Sequence, residues 1–218
     1  MGILGGAALA ATAVAATTAP AHANPNWTLY NEGTGAPLTS TDVLSGTGSA
    51  VFAATIAGAP RTITCTFGAS NPLTLSASGP FSGAPGSTLT VNATPPSSLN
   101  CTSGTLNVPV TLTGTWGVSF TVPAAGSTPG QLYNGVLTGS LNVPANAVNA
   151  NLSAFVAGCS AVGPTTAKAF TGSYNASNGA VTANANQAFT ATATGCTVTS
   201  TRLVSASLTA NPIIDLQW

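Results

Sequence analysis

Apolar and polar positions alternate along most of this chain. From Leu106 the apolar side runs Leu106, Val108, Val110, Leu112, Trp116, Val118, Phe120 and Val122, with Asn107, Thr111, Thr113, Thr115, Ser119 and Thr121 between them. A period of two sends successive side chains to opposite faces of a strand, so the run predicts half-buried β-structure with one apolar and one hydroxyl-bearing face. Gly114 and Gly117 mark a bend or bulge inside it. Ile63, Cys65 and Phe67 alternate with Thr62, Thr64 and Thr66 in the same way, which turns Cys65 inward.

Further strands are predicted over 50–57, 73–78, 88–94, 132–142, 147–156, 168–175, 179–185, 187–195, 202–210 and 213–218. Turn residues separate them: Ala59-Pro60, Asn71-Pro72, Pro95-Pro96 and Asn178-Gly179. The last lies between two alternating runs and is a hairpin signal. No long segment beyond the N-terminus carries a helical period. The predicted fold is therefore all-β: an antiparallel β-sandwich of two related Ig-like or jelly-roll-like halves, 24–123 and 131–218. Two features suggest duplication. Gly104-Thr-Leu-Asn-Val-Pro109 recurs as Gly139-Ser-Leu-Asn-Val-Pro144, and the Pro/Gly-rich stretch from Pro123 to Gly130 reads as a linker. One large sandwich crossing that stretch is the alternative.

Charge narrows the function. The only formally charged residues are Glu32, Asp42, Asp215, Arg61, Lys168 and Arg202, and the net charge is zero. With no basic field there is nothing to attract a phosphate backbone or an anionic lipid surface, so nucleic acid is excluded as a partner. Low charge does not imply disorder here, because 44% of residues are hydrophobic.

The N-terminus reads as an export signal. Ile3 to Ala16 is apolar, and Ala21-His22-Ala23 has the small-x-small form of a cleavage site, giving a signal peptide over 1–23. A membrane anchor is the competing reading, but the apolar stretch is shorter than the roughly 20 residues that span a bilayer. Cleavage before Asn24 would remove His22, the only histidine.

That loss closes most catalytic routes. A Ser-His-Asp or Cys-His nucleophile has no base, and Lys168, the sole lysine, lies in no S-x-x-K context. Glu32, Asp42 and Asp215 are too few for a confident pair of glycosidase carboxylates or a calcium site. No phosphate-cradling or dinucleotide motif occurs. No catalytic residue, no metal and no cofactor is predicted.

Four cysteines remain: Cys65, Cys101, Cys159 and Cys196. An even number in an exported chain favours two disulfides over metal, and there is no C-x-x-C. Three connectivities are open; the matched separations of 36 and 37 residues point to Cys65–Cys101 and Cys159–Cys196. Trp27, Tyr30, Tyr133 and Tyr174 are candidates for a sugar-stacking platform, with burial in the core as the competing reading. Trp116, inside the alternating run, is expected in the core. Ile214, Leu216 and Trp218 alternate like the closing strand of an outer-membrane barrel, although the aromatic girdles of such barrels are missing.

The order of features, an Ala-rich signal, Thr64-Cys65-Thr66, Asn100-Cys101-Thr102, Thr113-Gly114-Thr115-Trp116, Gly158-Cys159 and Gly195-Cys196, resembles that of small secreted β-rich, cysteine-paired proteins of actinobacteria. The resemblance implies an extracellular or envelope location and carries over no site residue. The expectation is a secreted or envelope-associated, non-enzymatic structural or interaction protein whose partners are other copies of itself or cell-surface glycans. A carbohydrate-binding module and an outer-membrane-type barrel are the alternatives.

Overall fold

Threonine, valine and aromatic residues favour the extended backbone, and the alternation becomes strand almost throughout. The structure is a computed structural model that describes residues 26–70, 72–124 and 130–218. The predicted signal peptide and most of the predicted linker lie outside the described residues. In chain order the strands are β1 (Trp27–Asn31), β2 (Ala36–Pro37), β3 (Val43–Ile56), β4 (Ala59–Phe67), β5 (Leu73–Ala77), β6 (Ser82–Gly83) and β7 (Thr88–Thr94). There follow β8 (Ser98–Ser103), β9 (Leu106–Leu112), β10 (Trp116–Thr121), β11 (Val136–Val143), β12 (Val148–Asn151) and β13 (Ser160–Gly163). The last are β14 (Lys168–Asn175), β15 (Ala180–Ala183), β16 (Gln187–Ala188), β17 (Thr192–Thr194), β18 (Val198–Asn211) and β19 (Ile214–Gln217). Among the described residues there is no helix, and every pairing is antiparallel.

Two 14-residue strands organise the sheet. β18 lies along one edge of β3 from Val198 opposite Ile56 to Asn211 opposite Ser45. The other edge of β3 is divided: Val43–Gly46 pair with β5, and Gly48–Ile56 pair with β4. At this fork the sheet splits into two circuits. The first closes through β3, β5, β7, β10, β11, β14, β15 and β18, returning to β3. The second runs β3, β4, β8, β9, β12, β13 and β17, and the chain between β17 and β16 carries it back to β18. Opposite walls of each circuit face one another across a core, which in cross-section is an antiparallel sandwich. A smaller sheet, β19-β1-β2 with β6 also on β1, joins the two ends of the described chain.

Two cores fill this frame. The first gathers Ile56, Ile63, Phe67, Val108, Leu112, Trp116, Val143 and Leu152 with the cysteines. The second lies between the small sheet and the first circuit, with Trp27, Leu29 and Leu216 against Leu89, Val91, Val122 and Leu137.

Both expected disulfides are present, Cys65–Cys101 and Cys159–Cys196. All four cysteines belong to the first core or pack against it, so both bonds fasten the same part of the molecule. Strands from before and after 124–130 share both circuits, since β10 pairs with β11, β9 with β12 and β3 with β18, and they share the small sheet, where β1 pairs with β19. The alternating run from Leu106 is two strands in different places. β9 lies between β8 and β12, and β10 between β7 and β11, with Gly114 at a φ of 79° between them. The Asn178-Gly179 turn joins β14 to β15 as expected, with Gly179 at a φ of 69°.

Gly48 sits at the fork, opposite Leu208 of β18 and Phe67 of β4. Its φ is 141°, and a Cβ there would lie 2.1 Å from the carbonyl oxygen of Ser207. Backbone occupies that space and cannot give way without parting the shared ladder. Gly48→Ala is therefore expected to destabilise the oxidised protein by about 2–4 kcal/mol. Urea unfolding with the disulfides intact measures this; an unchanged midpoint would mean that the fork tolerates a side chain.

Candidate functional site

The four aromatic candidates do not gather into an exposed platform. Trp27 is 2% exposed, donates its indole N–H to the Ala124 carbonyl at 3.0 Å, and packs against Tyr133 and Trp218 with ring centroids 6.1 and 5.1 Å away. Tyr30 is half-buried and, three residues along β1, faces the opposite side of the small sheet. Tyr133 and Tyr174 are half-buried against the second core. The Tyr174 hydroxyl accepts the Ile214 N–H at 2.7 Å, and burial pushes its pKa up to about 12. Trp116 is buried in the first core. The Trp27 indole thus fills the molecule, and removing it would open a cavity in the core.

Outward positions around the first circuit carry hydroxyls and amides: Thr90 on β7, Ser119 on β10, Asn142 on β11, Ser173 on β14, Thr182 on β15 and Ser207 on β18. They bond sideways across strands. Thr90 and Ser119 hydroxyls are 2.8 Å apart, the Asn142 amide donates to Ser119 at 2.6 Å, and Ser173 meets Thr182 at 2.8 Å. A lipid-facing barrel needs an apolar outer band; these positions are polar. On the second circuit, Pro109, Thr111, Asn149, Asn151, Ser153 and Ser160 line an uncharged surface groove of about 370 Å³.

The few charges are segregated. Glu32, Asp42 and Asp215 all lie on the small sheet or the loop from it into β3. Arg61 is opposite Ala54, Arg202 opposite Ala53 and Lys168 opposite Val143, all on strands around the first core. Asp42 directly precedes β3, and both arginines sit beside its far end, about 35 Å away along an extended strand. Among the described residues no ion pair joins the two groups. Asp42 is held instead by the Thr39 hydroxyl and N–H at 2.7 and 2.6 Å, which lower its pKa. Arg61 lies over the Phe155 ring at 5.2 Å. Among the described residues no cluster of three or more His, Cys, Asp or Glu could hold a metal ion.

No family model, curated protein or solved structure matches the chain. The site is therefore read from its own chemistry. The two disulfides indicate an oxidising compartment.

An apolar cavity of about 460 Å³ runs inside the sheet, with walls drawn from both cores. Its origin is the choice of inward residues. Ala50, Ala93, Ala183 and Ala206 stand in the lining at positions where a packed barrel would carry Val or Leu.

Asp215 is the unusual group in this wall. It is fully buried; Oδ1 accepts the Leu216 N–H at 2.7 Å, and Oδ2 has no hydrogen-bond partner. Burial pushes its pKa up to about 6, and the Glu32 carboxylate adds to the rise, while the Leu216 and Tyr133 N–H groups oppose it. Between an unfolded value near 3.9 and this folded value, the native state binds the extra proton, so stability falls as pH rises through that window and stays lower above it. A shift of about two units corresponds to roughly 2–3 kcal/mol. Asp215→Asn is expected to remove that loss: its melting temperature should be higher than wild type at pH 7.5 and near it at pH 4. Thermal unfolding monitored by circular dichroism across pH 4–8 is the measurement, and a wild-type curve flat over that range would contradict the assignment.

Proposed function

We propose that this is a secreted or cell-envelope-associated, non-enzymatic structural protein that acts by associating with further copies of itself. The observation that carries the reading is the separation of charge: unpaired acids at the small-sheet end and unpaired bases around the disulfide-bearing core. Complementary ends on one chain favour a head-to-tail contact, which is heterologous and propagates as an open assembly if it does not close into a ring. The sheet offers little alternative. Its path ends in the two-residue β16 and three-residue β17, so almost no free edge remains for strand addition. The uncharged outer face sets up no like-charge repulsion between copies. Export is supported by the disulfides and by the signal-like N-terminus, and the absence of histidine after residue 22 supports a role without catalysis.

Light scattering and sedimentation of the oxidised protein over a range of concentration and salt test this. Association is expected at low salt and should weaken by 0.5 M, where screening shortens the reach of exposed charges. Arg61→Glu with Arg202→Glu should leave a monomer, and adding Glu32→Lys and Asp42→Lys to that chain should restore association. A strictly monomeric wild type at high concentration and low salt would sink the proposal.

The groove lined by Asn149, Asn151 and Thr111 supports a second reading, binding of an uncharged cell-surface glycan through amides and hydroxyls. Retention on insoluble neutral polysaccharide that is lost in Asn149→Ala with Asn151→Ala is the expected result. Equal retention of that variant would remove the groove from consideration.

A further inference from the structure

The cavity is continuous between the two cores. Its wall includes Leu29, Leu38 and Leu216 beneath the small sheet, and Ile63, Val110 and Leu152 in the disulfide-bearing core. A space with that reach suits a chain-like guest better than a round one, and its volume of about 460 Å³ falls within the roughly 300–1,000 Å³ of small-molecule sites. The wall is hydrocarbon along most of its length. Genuinely empty cavities of this character stay dry and take up apolar molecules.

One polar group interrupts the hydrocarbon. Asp215 belongs to the cavity wall at the small-sheet end, is fully buried, and keeps Oδ2 without a partner. A buried oxygen with no donor is costly unless something supplies one. Tyr174, in the same wall, accepts the Ile214 N–H at its hydroxyl oxygen and makes no hydrogen bond to Asp215, whose Oδ1 receives the Leu216 N–H. Oδ2 is the acceptor left over.

We propose that the interior binds one long-chain hydrocarbon carrying a hydrogen-bond-donating head, an alcohol or an amine, with the chain in the apolar cavity and the head donating to Asp215 Oδ2. The site is independent of the surface charges invoked for self-association. It assigns the Ala residues of the inner wall a function, which is to leave room. Specificity follows from desolvation: a hydroxyl or ammonium satisfies the buried oxygen, a carboxylate sets a second acceptor beside it, and an alkane leaves it unpaired.

The test uses the full, disulfide-intact protein at pH 7.5 with three probes of matched length: hexadecanol, hexadecane and palmitate. Native mass spectrometry gives stoichiometry, and the rise in melting temperature gives relative affinity. Wild type is expected to take up one hexadecanol, at least tenfold more tightly than hexadecane or palmitate. Asp215→Asn replaces the acceptor with an amide that can donate, and should reverse the order of hexadecanol and palmitate. Ala93→Leu with Ala50→Leu fills the middle of the cavity. That variant should melt at or above the wild-type temperature and bind none of the probes. Absence of stoichiometric uptake of every probe by folded wild type would overturn the proposal. Unchanged binding in the filled variant would place the probes elsewhere and overturn it equally. An order of affinities indifferent to Asp215→Asn would remove the head-group assignment.

Discussion

The pairing of β3 with β18 is the constraint from which the rest of the structure follows. Each strand has 14 residues, and together they form the common wall of two sheet circuits. An antiparallel ladder of this length joins residues more than 150 positions apart in sequence, such as Ser45 and Asn211. Its entropic cost is that of closing a very long loop, which grows only slowly with length. What it secures is large: both circuits acquire a continuous wall, and the sheet keeps only the short β16 and β17 as end strands. The fork at Gly48 makes two circuits out of one ladder, since β3 changes partner from β5 to β4 there while β18 continues unbroken. A Cβ at that position would meet the Ser207 carbonyl, so the division depends on an absent side chain.

The outer surface meets water without charge. Surface hydroxyls and amides pair laterally, as Thr90, Ser119 and Asn142 do, and as Thr171, Asn184 and Gln187 do near β16. Each such contact is worth only a fraction of a kcal/mol, but it recurs from strand to strand. With the background neutral, two surface acids, Glu32 and Asp42, and three bases are enough to define two poles. On an ordinary surface, where about a quarter of residues are charged, the same few would be lost among their neighbours.

The sequence conveyed the local physics well and the long-range arrangement poorly. Alternation located the longer strands, because a period of two is a local property of sheet backbone, and missed β1, β2, β6, β8 and β13. It could not say that Leu106–Leu112 and Trp116–Thr121 part company at Gly114, since both halves keep the same inward phase. Matched spacing selected the correct cysteine partners. Equal separations in a two-half chain suggest one disulfide per half, but the pairing of β3 with β18 draws all four cysteines to one core. For Trp27 the sequence leaves a sugar-stacking platform and burial in the core both open. Its burial comes from β1 pairing with β19, which brings Trp218 over its ring. The alanines of the strands carried the least information as read, and they turn out to matter most. Their inward phase at Ala50, Ala93 and Ala183, opposite Ser and Thr on the outer phase, was visible in the alternation and is the signal of a cavity. The lone Asp215 between Ile214 and Leu216 was the corresponding signal of a polar group in the wall.

The small sheet links the two functional readings. It carries Glu32 on its surface, leads into Asp42, closes the second core with Leu29 and Leu216, and holds Asp215 at the cavity wall. It packs on the first circuit through that apolar layer. A guest that filled the cavity would fasten the small sheet by giving Leu29, Leu216 and Asp215 contacts they otherwise lack. A second copy docking on Glu32 and Asp42 would fasten it from outside. Two events that favour the same seated state of one element must favour each other, and by linkage to the same extent in both directions. Cargo and assembly, if both belong to this molecule, are then coupled through a sheet that contains both ends of the described chain.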